Sequence, residues 1–223
     1  MRVLVVGNTG DDDVGYVGDA LLGHGVTLVT APREQPGALP GVDGFDALVS
    51  LGSDWSVYWD RVADAVAGEA ALLRAAHESG RPVLGLCFGG QLLAQALGGR
   101  VEAAPVPEIG WYEVVSDVPD RIPTGPYVQW HSDRFIPPPG ATEIARSPAG
   151  AQAFVLGRTL ALQFHPEATP ATVARWCVGM DDALAAADVD ARAFVAECEQ
   201  RADEARARAA VVVEAFLTGA LVG

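Results

Sequence analysis

The chain has 223 residues, 50% of them hydrophobic and 20% charged, which suits one sizeable α/β domain or such a domain with an appendage. Fifteen Lys and Arg against 29 Asp and Glu leave a formal net charge of −14, so a nucleic-acid backbone or an anionic membrane would be repelled over much of the surface, and neither is expected as a partner. Cys87, Cys177 and Cys198 follow no zinc or CxxC spacing, which argues against a disulfide framework, indicates no metal or cofactor, and points to a reducing, cytoplasmic compartment.

The opening "MRVLVVGNTG" is too short in its apolar run for a signal peptide and reads as a first buried strand. No stretch approaches the roughly 20 apolar residues of a membrane span. "RVLVVG", "VTLVT", "FDALVSLG" and "RPVLGL" read as strands buried on both faces, alternating with helical patterns, which predicts a parallel sheet with crossover helices. Between the last two, Val62, Ala65, Val66, Leu72, Leu73 and Ala76 form an approximate helical stripe that ends at Gly80. Gly98 and Gly99 stop the next helix. Beyond them, segments near 112–116, 126–130, 142–146, 151–156 and 159–164 are shorter strands separated by Pro and Gly, an expected antiparallel extension on one side of the sheet. From about residue 170 the pattern is helical to the end. The expected organisation is a catalytic unit over residues 1–178 and a C-terminal helical extension over 179–223.

Residues 84–97, "LGLCFGGQLLAQAL", place a cysteine between an apolar strand and an amphipathic helix, with Gly85 and Gly89 two positions to either side. A sharp strand-to-helix turn projects a nucleophile, and its tight backbone favours small residues at those two positions. Cys87 would sit at a helix N-terminus, where free amides and partial positive charge favour thiolate over thiol. The Phe88 N–H would face an oxyanion formed at the attacked carbon. Gln91, one turn along, would reach a polar substrate. An isolated cysteine is more often a small buried packing residue; the strand, both glycines and the following helix turn the reading toward chemistry.

A thiol nucleophile needs a base. His24 and His77 lie near helix ends and read as solvated. His165, in "LALQFHPEAT", follows an apolar strand at the end where parallel sheets place their chemistry, and Glu167 lies two residues on. Either an extended path or a turn at Pro166 brings that carboxylate to the imidazole, fixing its tautomer. His131, in "QWHSDRF", competes for the same role with Asp133 two residues beyond. Spacing alone does not rank the two.

With "GLCFGGQLLAQALGG" and "LQFHPE" together, the chain resembles the class I, triad-type glutamine amidotransferases, especially free-standing members similar to the glutaminase domain of GMP synthetase and to γ-glutamyl peptidases. The resemblance covers roughly residues 1–178. It implies a flavodoxin-like, mostly parallel sheet flanked by helices and a triad of Cys87, His165 and Glu167, and so prefers His165 over His131 as base. "LVSLGSDWS" resembles the family's oxyanion loop, implicating the Gly52 amide beside that of Phe88, although Leu51 and Ser53 replace the usual second glycine. "VQWHSDRF" resembles the loop near the substrate's amino-acid end, implicating His131, Ser132 and Asp133, and "PEIGWYEV" resembles a segment over the site in which Trp111 would exclude water, while by residue type Trp111 and Trp130 read first as packing residues. The implied activity is hydrolysis of L-glutamine through a cysteinyl thioester, with ammonia passed to a separately encoded synthetase subunit. The alternatives are an autonomous hydrolase of γ-glutamyl compounds and a non-catalytic binding member.

Overall fold

The computed structural model describes residues 1–219. Its element order is β1 (Arg2–Gly7), α1 (Gly15–Gly23), β2 (Thr27–Pro32), β3 (Ala47–Ser50), α2 (Ala63–Glu78), β4 (Val83–Leu86), α3 (Phe88–Ala96), β5 (Arg100–Ser116), β6 (Gly125–Ile136), β7 (Thr142–Ser147), β8 (Gly150–Leu156), β9 (Thr159–Leu162), α4 (Pro170–Cys177), α5 (Asp181–Ala186), α6 (Ala191–Gln200) and α7 (Ala202–Thr218). The strands join one nine-stranded sheet in the order β2-β1-β3-β4-β9-β8-β7-β5-β6. Its first half, β2 to β9, is parallel, and its second half, β9 to β6, is antiparallel. This is the expected α/β architecture with its antiparallel extension.

Alternation along β1 shows how the layers form. Val3 and Val5 enter a core cluster with Val17 and Leu21 of α1 and Val212, Val213 and Phe216 of α7. Leu4 and Val6, pointing the other way, join Leu72 and Leu73 of α2 and Leu92 and Leu93 of α3. Burial of side chains on both faces is why β1, β3, β4 and β9 read as unbroken apolar runs.

Two expectations need correction. "VTLVT" was expected to be buried on both faces, but β2 is the edge strand, paired only with β1, and only Ala31 of its residues is buried, because an edge strand has no neighbour on its outer side. The segment near 112–116 is the end of a much longer strand, β5, whose polar and proline-bearing first half pairs with β6 across a register shift between Ala103 and Glu108. Residues 100–107 are all exposed or half-buried, so that half needs no apolar pattern.

The helices after residue 178 are packed elements of the fold. Leu184, Phe194 and Cys198 share a cluster with Ile109 and Val128 of the β5–β6 pair and Val173 of α4, while α7 lies against α1. Residues 220–223, the end of the expected helical stretch, lie outside the described residues. No helix among the described residues is long and apolar enough to cross a membrane.

Candidate active site

The three adjacent strands β3, β4 and β9 end side by side, and the residues just beyond them are Gly52, Cys87 and, three positions past β9, His165. Neighbouring strands in a sheet lie about 4.8 Å apart, so their carboxyl ends deliver loops to one small region. A Cβ built on Gly52 would lie 3.0 Å from His165 Cε1 and 3.7 Å from Cys87 Cβ. Residues far apart in the chain therefore meet at a single point.

Cys87 stands at φ 50° and ψ −107°, one of two non-glycine residues at positive φ among the described residues. Such a backbone costs on the order of 1–3 kcal/mol and is held only where surrounding structure imposes it. Here Cys87 N–H donates to Leu162 O of β9 at 2.8 Å, and its own carbonyl accepts the Gln91 N–H of α3 at 2.9 Å. A side chain on Gly89 would collide with the Ser50 carbonyl, and one on Gly85 with the backbone of Gly89, so the elbow closes only with glycine at both places. The thiol is 4% exposed yet lines the cleft, with Trp130 O and Gln163 Nε2 each 3.7 Å from the sulfur.

His165 and Glu167 meet across a turn. His165 N–H donates to Val128 O at 2.9 Å, Ala168 N–H reaches back to His165 O at 3.4 Å, and Thr169 caps α4 with Pro170 in its first turn. His165 Nδ1 lies 2.7 Å from Glu167 Oε1, while its Nε2 is buried with no hydrogen-bond partner. Burial alone pushes the imidazole down. The charges of Glu167 and Cys87, with the hydrogen bond to Glu167, outweigh it and hold His165 well above its ordinary value of 6.5. Trp176 of α4 covers the ring at a centroid distance of 4.7 Å.

The rival histidine is committed elsewhere. His131 Nδ1 lies 3.0 Å from the Asp133 carbonyl and Nε2 lies 3.0 Å from Glu108 Oε2, so both ring nitrogens are engaged in a buried network that Ser147 and Gln152 complete around Glu108. A carbonyl only accepts, which fixes the proton on Nδ1. His131, Ser132 and Asp133 all line the cleft. The Asp133 carboxylate is held by the hydroxyls of Ser56 and of Tyr58, the latter at 2.7 Å, so β6 is tied to the loop after β3. Gln91 is buried with its Nε2 donating to Asp133 O at 3.1 Å. Neither Gly52 N–H nor Phe88 N–H donates a hydrogen bond among the described residues.

The cleft, about 380 Å³, is also lined by Trp55, Trp59, Trp130, Trp176, Asp11, Asp13 and Asp54. Trp111 is not among its lining residues; it is a packing residue, as its residue type suggests, in the cluster around Phe194 with the Arg201 guanidinium 5.3 Å over its ring. His77 is not a solvated helix end, since its Nδ1 lies 2.8 Å from the Thr159 hydroxyl. The acidic loop after β1 serves the site through its end: Tyr16 N–H donates to Glu167 O at 3.0 Å, and Gly15, at φ 47°, packs so tightly that a Cβ would overlap that same oxygen. Nothing in the pattern "DDDVGYVG" signals that contact.

A mixed sheet flanked by helices, with a cysteine held at positive φ just past β4 and a His–Glu pair beside it, defines an α/β protein with a strand-to-helix cysteine elbow. The family model described as "Glutamine amidotransferase class-I" matches residues 60–175, and the chain belongs to that family. Among curated relatives, a "GMP synthase [glutamine-hydrolyzing]" of Aeropyrum pernix is 34% identical over 143 residues, covering 58% of this chain and 25% of the relative. One of Thermomicrobium roseum is 44% identical over 99 residues, covering 40% and 18%. The chain thus spans a quarter or less of the length of these relatives. Two solved structures match nearly end to end: a glutamine amidotransferase from Thermotoga maritima (TM-score 0.87, 25% identity, 97% of each chain) and a glutamine amidotransferase from Methylobacillus flagellatus (TM-score 0.86, 27% identity, 98% of this chain and 94% of the other).

Proposed function

We propose that this chain is a glutaminase that hydrolyses the side-chain amide of L-glutamine through a thioester on Cys87 and passes the ammonia to a separate synthetase. One observation carries the reading: the partnerless Nε2 of a Glu167-anchored imidazole stands beside a cysteine held at positive φ. The thiolate attacks the amide carbon, and the free Gly52 and Phe88 N–H groups receive the charge on oxygen. His165, holding the proton, delivers it to the departing nitrogen, so the C–N bond breaks and ammonia leaves. The neutral imidazole then takes a proton from water, which attacks the thioester, and glutamate departs as the C–S bond breaks. Glu167 orients the ring and offsets its positive charge. Gln91, His131, Ser132 and Asp133 form the wall for the substrate's amino-acid end. In this proposal residues 1–178 hold the chemistry and the described helices after residue 178 buttress it. The names of the GMP synthase relatives favour a synthetase acceptor.

A Cys87→Ala chain should fold with an unchanged melting temperature and lose at least about 10³-fold in ammonia release from glutamine, because no other group can form the thioester. Turnover by that variant would end the proposal. A second reading, autonomous hydrolysis of γ-glutamyl compounds, is favoured by the tryptophan-lined volume beyond the triad, which admits a larger leaving group. Partner-free turnover of γ-glutamyl peptides well above that of glutamine would select it. Stimulation of glutamine turnover by a synthetase would select the first.

A further inference from the structure

The mechanism uses no charge from beneath the elbow, yet a fully buried ion pair lies there. Arg33, 0% exposed and just past β2, sits with Nε 3.4 Å from Glu69 Oε2 of α2. Glu69 in turn accepts the Ser50 hydroxyl at 2.6 Å. Burying such a pair usually contributes little or nothing to stability compared with apolar residues of similar volume. Its contacts are with the catalytic frame: Arg33 Nη2 donates to Leu51 O at 2.9 Å and to Val6 O at 3.3 Å, and the guanidinium carbon lies 4.5 Å over the Phe88 ring. Arg33 therefore touches both residues whose peptides carry or flank the free Gly52 and Phe88 amides.

A trans peptide points its carbonyl and its N–H in opposite directions. Holding Leu51 O toward the buried guanidinium turns the Gly52 N–H to the opposite side, away from the protein interior and toward the cleft that Gly52 lines. A cationic donor on a carbonyl also draws electron density from the amide nitrogen, making its N–H a stronger donor.

We propose that Arg33, anchored by Glu69, is a positioning residue that aims and polarises the Leu51–Gly52 peptide as an oxyanion donor. The inference rests on the thioester mechanism above. Its test compares wild type, Arg33→Lys and the paired Arg33→Met/Glu69→Leu, the last removing both charges so that neither is left buried alone. The readouts are kcat and KM for ammonia release, affinity for the γ-aldehyde analogue of glutamine, and the pH profile of Cys87 alkylation by iodoacetamide. The aldehyde forms a thiohemiacetal whose oxygen occupies the proposed hole. The expected result for the paired variant is a kcat lower by about 10–100-fold, KM within about twofold and aldehyde affinity falling in parallel. The alkylation profile should not move, and Arg33→Lys should lose less of both kcat and aldehyde affinity. A folded paired variant with wild-type kcat and aldehyde affinity would overturn the inference, as would a kcat loss matched by slower alkylation with aldehyde affinity intact. If the paired variant does not fold, Arg33→Lys decides alone: kcat and aldehyde affinity falling together support the inference, and unchanged values overturn it. Wild type that turns over neither glutamine nor γ-glutamyl amides would refute the underlying reading itself.

Discussion

At the scale of single residues, the site depends on side chains whose protonation is set by their neighbours. Glu167 and Cys87 together keep His165 charged to higher pH than a free imidazole. Glu167→Gln removes one of those charges while retaining an acceptor, so the imidazole should lose its proton at lower pH, and the alkaline limb of the pH–kcat/KM profile should move down. The sign for stability follows: a raised imidazole contributes stability in full below its ordinary 6.5 and loses it as pH rises through the folded value. The variant's stability deficit should accordingly be largest at low pH and shrink on the alkaline side, which melts across pH would record. Gly15 offers a subtler test. Gly15→Ala places a methyl group against the Glu167 carbonyl at a backbone angle costly for alanine. We expect a loss of about 1–3 kcal/mol in stability and, through the displaced carboxylate, about 10²-fold in kcat, with chemical denaturation and ammonia release as the measurements.

At the scale of elements, the elbow works because β4 is flanked by the two strands whose loops complete the site. Its neighbours β3 and β9 supply Gly52 and His165. The β5–β6 pair contributes differently: the register shift between Ala103 and Glu108 sets Glu108 directly across from His131, and this cross-strand pair occupies the competing histidine. The last helix has a structural task. Phe216 of α7 is 2% exposed and shares a cluster with Val3, Val5, Val17 and Leu21, so Phe216→Ala should cost about 3–5 kcal/mol in denaturant unfolding. A chain ending before α7 should expose that whole face and fail to give a cooperative melt. Stability close to wild type in either case would mean that the α7 face is not part of the core that carries the site.

At the scale of the whole molecule, charge governs how the protein behaves in solution. With a formal charge of −14 and an isoelectric point near 4.5, turbidity should peak as pH falls toward about 4.5, where mutual repulsion vanishes. Addition of salt at neutral pH should weaken any association that depends on a basic partner surface. Much of the architecture was open to inspection in the residues alone. The parallel half announces itself because its strands are buried on two faces. The elbow does so because a cysteine with glycines at ±2, set between strand and helix, matches the steric demand of a turn that projects its central side chain. His77 was misplaced because a histidine carries no local mark of what it will face. Arg33 and Glu69 gave no signal either, since in sequence they look like any solvated pair of charges. Local geometry is dictated by residues close along the chain, so the nucleophile's turn, the helical pattern from about residue 170 and the apolar strands could be determined from sequence. Strand order is decided by long-range burial and pairing; only the folded sheet, by seating β4 between β3 and β9, brought His165 to Cys87 with a ring nitrogen free, engaged both nitrogens of His131 elsewhere, and placed a buried cation behind Gly52.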